Sequence, residues 1–266
     1  MSHQLLLDQL WKQYTAYTPS ALKIQALLST PGNAFVNDHI AFRTFNLPGV
    51  NIDAMAEVFE AYGYVAKGEY HFEEKKLYAK HYEHTTDTEA PKIFISELLI
   101  EEFSPELQEV VKHCVAQVAA NKDEEIHLPL AGRLWSDISY ETYEKLREES
   151  EYCAWLYAFG FCVNHFTVLV NGLTSIDSLE EMKIFLKAHQ FSMNVSGGEI
   201  KGTPEELLEQ SSILADKHAV AFNDDIRMIP SCYYEFARRY EDQNGNLYAG
   251  FIAKSADKIF ESTDVL

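Results

Sequence analysis

Basic residues are scarce in this sequence: 22 lysines and arginines stand against 41 aspartates and glutamates, for a net charge of −19. That balance opposes binding to a phosphate backbone, which needs the opposite sign, so no nucleic-acid partner is expected. Cysteine is also sparse. Cys114, Cys153, Cys162 and Cys232 fall in no C-x-x-C spacing and read as reduced thiols. No apolar run is long enough for a membrane helix: the longest, Trp155 to Val163, is about half of the ~20 residues required. Met1 to Lys12 lacks a basic segment followed by an apolar run, so no secretory signal is expected. The glycine-rich phosphate loop, the dinucleotide fingerprint and the nucleophile elbow are all missing. These absences predict a cytoplasmic globular protein without nucleic-acid or membrane partners.

What is present is a repeated pattern. Asn37 to Phe45 alternates polar and apolar residues and predicts a half-buried β-strand. On a strand His39, Ala41 and Arg43 share one face, with His39 and Arg43 about 13 Å apart at Cα. An imidazole at one end and a guanidinium at the other leave room for a small dianion beside Ala41. A core histidine next to a surface arginine would give the same pattern. The echo comes at Val163 to Val170, where Asn164 precedes His165 as Asp38 precedes His39. In each copy a helix follows, from Ile52-Asp53-Ala54-Met55 and from Ile176-Asp177-Ser178-Leu179; the histidine-to-isoleucine intervals are 13 and 11 residues.

Helices are predicted over 3–17 and 19–28, followed by a turn cluster at 29–33. The first copy then reads β-α-β-β-β, with strands at 36–45, 64–71, 76–85 and 92–100 around a helix from Ile52 to Tyr62. Residues 104–160 read as a helical insert. The second copy adds a capping box, Thr203-Pro204-Glu205-Glu206, predicted to open a helix to Asp216. Strands at 217–222, 225–230, 232–241 and 247–254 follow, the last two joined at the Gln243-Asn244-Gly245-Asn246 turn. The expected architecture is a single α+β catalytic domain. It comprises a first βαβββ module (34–103), the helical insert (104–160) and a second βαβββ-like module (161–254), with the modules forming a curved sheet around a shared site.

Two histidines at equivalent strand positions of a duplicated fold would face one cavity. Glu235, in the otherwise apolar and aromatic stretch Cys232 to Ala237, supplies a third donor, since an unpaired carboxylate there would be costly. Two imidazoles and a carboxylate on one side of a metal leave positions open for a chelating substrate and O2; Fe(II), Mn(II) and Zn(II) all accept such ligands. A structural ion pair of Glu235 with Arg43, Arg227 or Arg239 is the alternative. Glu97, placed in the first half as Glu235 is in the second, could be a fourth ligand, a hydrogen-bond acceptor for a histidine or a pocket wall. His71, His81 and His84 read as surface residues.

The residues Asp38-His39 with Arg43 four positions on, Asn164-His165-Phe166 and Tyr234-Glu235-Phe236-Ala237-Arg238 resemble those of the 2-oxoadipate dioxygenase/decarboxylases, and the likeness spans nearly the whole chain. The resemblance implies a fold similar to the vicinal-oxygen-chelate proteins and a non-haem Fe(II) site at His39, His165 and Glu235. It also implies that Arg43 contacts a substrate carboxylate. The implied reaction takes 2-oxoadipate, or a related 2-oxo acid, and O2 to 2-hydroxyglutarate and CO2, a step of lysine degradation. The same triad would serve a metal-dependent hydrolase or isomerase of glyoxalase type, and a non-enzymatic protein that captures a small carboxylate between the modules would bind it without His39 and His165.

Overall fold

A computed structural model describes residues 3–29, 35–120 and 127–263. The turn cluster expected at 29–33 lies, beyond Ser29, outside them. Eight strands form one mixed sheet whose order is symmetric about its centre. On one side are β1 (Asn37–Phe45), β4 (Lys92–Leu98), β3 (Leu77–His84) and the edge strand β2 (Tyr64–Phe72). On the other are β5 (Val163–Leu169), β10 (Tyr233–Arg239), β7 (Leu208–Ser212) and the edge strand β6 (Lys201–Thr203). The order β2-β3-β4-β1-β5-β10-β7-β6 is therefore two copies of one four-strand unit, joined by the antiparallel β1–β5 pair. Within each copy the histidine strand runs parallel to a late strand, β1 with β4 and β5 with β10.

A parallel pair needs a crossover, and each copy has a helix after its histidine strand. In the first it is α3 (Ile52–Glu60), whose N-cap Asn51 accepts a hydrogen bond from the Ala54 amide. In the second it is α8 (Leu179–Ala188), capped in the same way by Ser178 onto Glu181. The convex side is covered by α1 (His3–Tyr17) and α2 (Pro19–Leu28). Trp11 and Tyr14 of α1 pack on Phe166 and Tyr234, and the Tyr14 hydroxyl donates to the Tyr233 carbonyl at 2.6 Å.

The insert contains α4 (Pro105–Ala120), α5 (Leu128–Ala131), α6 (Tyr140–Glu149) and α7 (Glu151–Phe159). From Tyr152 to Phe159 every residue of α7 is buried, as expected of a helix apolar on all sides.

Two expectations for the second half fail. The capping box forms, with Thr203 accepting from the Glu206 amide, but only one 3-10 turn follows (Pro204–Glu206). Leu207 takes a left-handed φ of +66° and ends it, and the chain enters β7 where a helix was expected. The expected strand at 247–254 is reduced to a single bridge between Glu241 and Leu247. The chain turns instead into a helix, α9 (Ala253–Phe260), and a 3-10 turn, Glu261–Thr263. The strands expected at 217–222 and 225–230 do form, as β8 (Lys217–Ala221) and β9 (Ile226–Pro230), but as a separate two-stranded sheet.

Candidate metal centre

The centre of the concave face belongs to the three strands around the symmetry axis. Strand register places His39 opposite Thr167, His165 opposite Tyr233, and Glu235 opposite Thr167 on its other side. The result is a convergence of three buried donors. His39 Nε2 and His165 Nε2 are 3.4 Å apart, and they lie 3.6 and 3.3 Å from the two oxygens of Glu235. Among the described residues this is the one group of three such side chains with ligand atoms all within 4.8 Å of one another.

The orientation of both imidazoles is set by a shared device. A β-bulge inserts an extra residue on β1 between Asn37 and His39, and another on β5 between Val163 and His165. The extra residues are Asp38 and Asn164. Instead of pointing to the opposite face, each turns back to the histidine that follows it. Asp38 Oδ1 lies 2.8 Å from His39 Nδ1, and Asn164 Oδ1 lies 3.0 Å from His165 Nδ1. An ionised carboxylate only accepts, so His39 Nδ1 carries the proton and Nε2 presents its lone pair to the centre. Asp38 is itself gripped by Arg239, at 2.6 and 2.8 Å.

Burial, helped by the nearby His39 and Arg43, pushes His165 well below the ordinary imidazole range and keeps it neutral. Burial pushes the Glu235 carboxyl up, against the opposing influence of His39 and a 2.7 Å hydrogen bond from Gln210 Nε2 to Oε1. Glu235 Oε2 is buried with no hydrogen-bond partner. Two lone pairs and an orphaned carboxylate oxygen facing one point lack a positive charge, so the donor set fits a divalent metal.

Arg43, on the same strand as His39, is 1% exposed. Its Nη1 donates to Glu151 at 3.1 Å, its Nη2 to Thr263 Oγ1 at 3.0 Å and to the Phe260 carbonyl, while Nε is unpartnered. The guanidinium stacks over Tyr152 and Trp155 of α7. The expected room for a dianion is occupied: Phe251, Ile259 and Phe260 close the face. A cavity of about 20 Å³ is left against His39, His165, Glu235, Gln210 and Phe94. That volume holds an ion or one water.

Glu97 is not a counterpart of Glu235. Glu235 pairs with the residue two beyond His165, and the residue pairing two beyond His39 is Phe94. Glu97 lies three positions further on and accepts from the Ile52 amide, where it caps α3. The arginines offered as alternatives for Glu235 are engaged elsewhere, Arg43 with Glu151, Arg227 with Asp225 and Arg239 with Asp38. His81 is not at the surface: it is 3% exposed, hydrogen-bonded to Tyr70 and Glu83, and packed on Phe251. Sequence reasoning offers Arg239 only as a partner for Glu235 and does not point to Gln210; in the structure Arg239 clamps Asp38 and Gln210 donates to Glu235. The signal for Arg239 was a cation placed four residues after Glu235 on a buried strand.

Residues 9–243 match the family described as 2-oxoadipate dioxygenase/decarboxylase. The rice protein of that name, assigned to chloroplast or amyloplast, is 34% identical over 97% of this chain and 78% of its own length. The rice hydroxyglutarate synthase, solved with 2-oxoadipate, superposes with a TM-score of 0.89 at 32% identity, covering 97% of this chain and 91% of that one. A Shewanella frigidimarina protein, provisionally named a hydrolase, is 49% identical with a TM-score of 0.87, over 95% and 100% of the two chains. A glyoxalase-superfamily protein of Ralstonia eutropha shares the fold (TM-score 0.73, 20% identity, 91% and 83% covered). The duplicated sheet is thus of the vicinal-oxygen-chelate kind, and the chain belongs to the 2-oxoadipate dioxygenase/decarboxylase family.

Proposed function

We propose that this chain is an Fe(II)-dependent dioxygenase and decarboxylase that converts 2-oxoadipate and O2 to 2-hydroxyglutarate and CO2, a step in lysine degradation. The observation that carries it is the orphaned Glu235 Oε2 facing two imidazole lone pairs, in a chain of this family. His39, His165 and Glu235 would hold the metal, which supplies O2 activation and a chelation point for the 2-oxo acid. The protein's own residues do the rest. Asp38 and Asn164 hold protons on the two Nδ1 atoms and so aim Nε2 inward. Phe251, Ile259 and Phe260 exclude water. Arg43 binds a substrate carboxylate by exchanging its Thr263 contact while keeping Glu151.

The four free, buried cysteines support a reducing, cytoplasmic setting. No helix among the described residues is long and apolar enough to cross a membrane.

The test is O2 uptake after anaerobic Fe(II) loading, with and without 2-oxoadipate. Uptake that needs both iron and substrate is expected, with one CO2 per O2. Metal bound without uptake would favour a hydrolase or isomerase, and no metal bound would overturn the triad. His39→Ala and Glu235→Ala should lose metal and activity together. Arg43→Ala should keep metal and lose substrate affinity.

A further inference from the structure

Lys201 is an ionisable group near the triad that neither the fold nor the proposed reaction has used. It is 3% exposed, yet among the described residues no carboxylate lies within 4.0 Å of it. Its Nζ donates to a single neutral acceptor, the Asn194 carbonyl, at 2.9 Å. Register sets its direction. Lys201 pairs with Gln210, which pairs with Ala237, two residues along β10 from Glu235. Gln210 reaches Glu235 from that row, so the row faces the metal side. Burial, against the upward pull of Glu235, Glu261 and Glu199, lowers the Lys201 ammonium to about 8.

Three features of the concave face lie under one cover, the segment from Phe251 to Thr263. Ile259 and Phe260 roof the triad. Thr263 and the Phe260 carbonyl hold Arg43. Asn194, which holds Lys201, donates to the Lys258 carbonyl and to Ser262. A six-carbon acid cannot fit a cavity of about 20 Å³, so its admission needs this segment to move off the triad, off Arg43 and off the Asn194 that holds Lys201. Charge then distinguishes the two cations. A divalent metal with Glu235 leaves one positive charge, and a 2-oxo dicarboxylate brings two negative ones. Arg43 is already neutralised by Glu151. One more cation is needed to balance the site, and leaving the deficit buried would be expensive.

We propose that Lys201 binds the distal carboxylate of the substrate, selecting 2-oxo dicarboxylates over 2-oxo monocarboxylates. This rests on the function proposed above. The alternative is that Lys201 only props the Asn194 loop, which would affect all substrates alike.

The experiment is anaerobic calorimetric titration of the Fe(II)-loaded protein with 2-oxoadipate and with 2-oxohexanoate, the same chain without the distal carboxylate. Lys201→Met should weaken 2-oxoadipate roughly 10- to 100-fold, the range for a hydrogen bond to a charged group, and move 2-oxohexanoate by less than about threefold. Lys201→Gln, which retains a donor for the Asn194 carbonyl, should behave as Lys201→Met does. Equal weakening of both acids, or no change in either, overturns the proposal. If neither neutral variant folds, Lys201→Arg decides. Its longer side chain carries the charge further into the site and should shift preference towards 2-oxoglutarate, and an unchanged length preference would overturn the assignment. Wild-type protein that holds iron but binds neither acid overturns the underlying function, and this proposal with it.

Discussion

The two halves of the sheet present the same histidine on the same kind of bulge, but they back it differently. In the first half Asp38 supports His39 and is clamped by Arg239, whose other nitrogen donates to the Tyr248 and Gly250 carbonyls. In the second half Asn164 supports His165 with one amide oxygen, and its Nδ2 is buried without a partner. One imidazole is thus fixed by a charged network that ties β1 to β10 and to the chain beyond it, the other by one neutral contact. Duplication placed the ligands; the unequal supports set how firmly each is held.

Removing the two supports breaks the comparison most directly. Asp38→Ala leaves Arg239 charged in a 3% exposed position, and should cost about 3–5 kcal/mol in denaturant unfolding. Asn164→Ala removes a neutral hydrogen bond and should cost ~1 kcal/mol. Both should weaken metal binding, by about 10- to 100-fold, because each frees an imidazole. Equal stability losses would show that the Arg239 clamp contributes nothing.

Acid titration of the metal-free protein sharpens the same contrast. Burial would raise the Asp38 carboxyl, but Arg239 and the His39 contact outweigh it and hold it well below the carboxylate range. Its folded value is depressed, so its stabilisation is complete above the unfolded value near ~4 and is lost as pH falls from there through the folded value. His165 is depressed by burial, so its share is complete above ~6.5 and is lost as pH falls below that. Stability followed by thermal melting should therefore decline in two stages. His165→Asn should remove the earlier stage and Asp38→Asn the later; a single decline in the wild type would contradict the assignment.

The sequence made the repeat legible because alternation reports strand faces directly, and the recurrence of Asp-His and Asn-His fixed equivalent positions. It did not reveal the bulges: one extra residue leaves the surrounding alternation intact while turning Asp38 and Asn164 around. Glu97 reads as the counterpart of Glu235 because counting along the chain ignores register, which puts Phe94 there. Leu247, Tyr248, Phe251 and Ile252 supply the apolar and aromatic residues of a strand after a turn, yet their neighbours form α9, whose Ile259 and Phe260 need the concave face for burial. Missing that cover also put His81 at the surface, although Phe251 lies against it.

The smallest expected effect concerns the position where the halves differ in chemistry, Glu235 against Phe94. Without metal, Glu235 is a buried carboxylate with one satisfied oxygen, and burial raises its folded value. A raised acid stabilises below its unfolded value near ~4.3 and loses that contribution as pH rises through the folded value, so at neutral pH it weakens the metal-free fold. Glu235→Gln keeps an oxygen for the Gln210 donor and puts an amide N–H where Oε2 stands, 3.3 Å from the His165 lone pair. The metal-free variant should therefore be more stable than wild type by ~1 kcal/mol at neutral pH. Divalent metal should raise the melting temperature of the wild type and leave the variant unmoved. A variant less stable than the metal-free wild type would mean that Glu235 is held by a partner other than a metal, and Phe94 and Glu235 would then differ in packing alone.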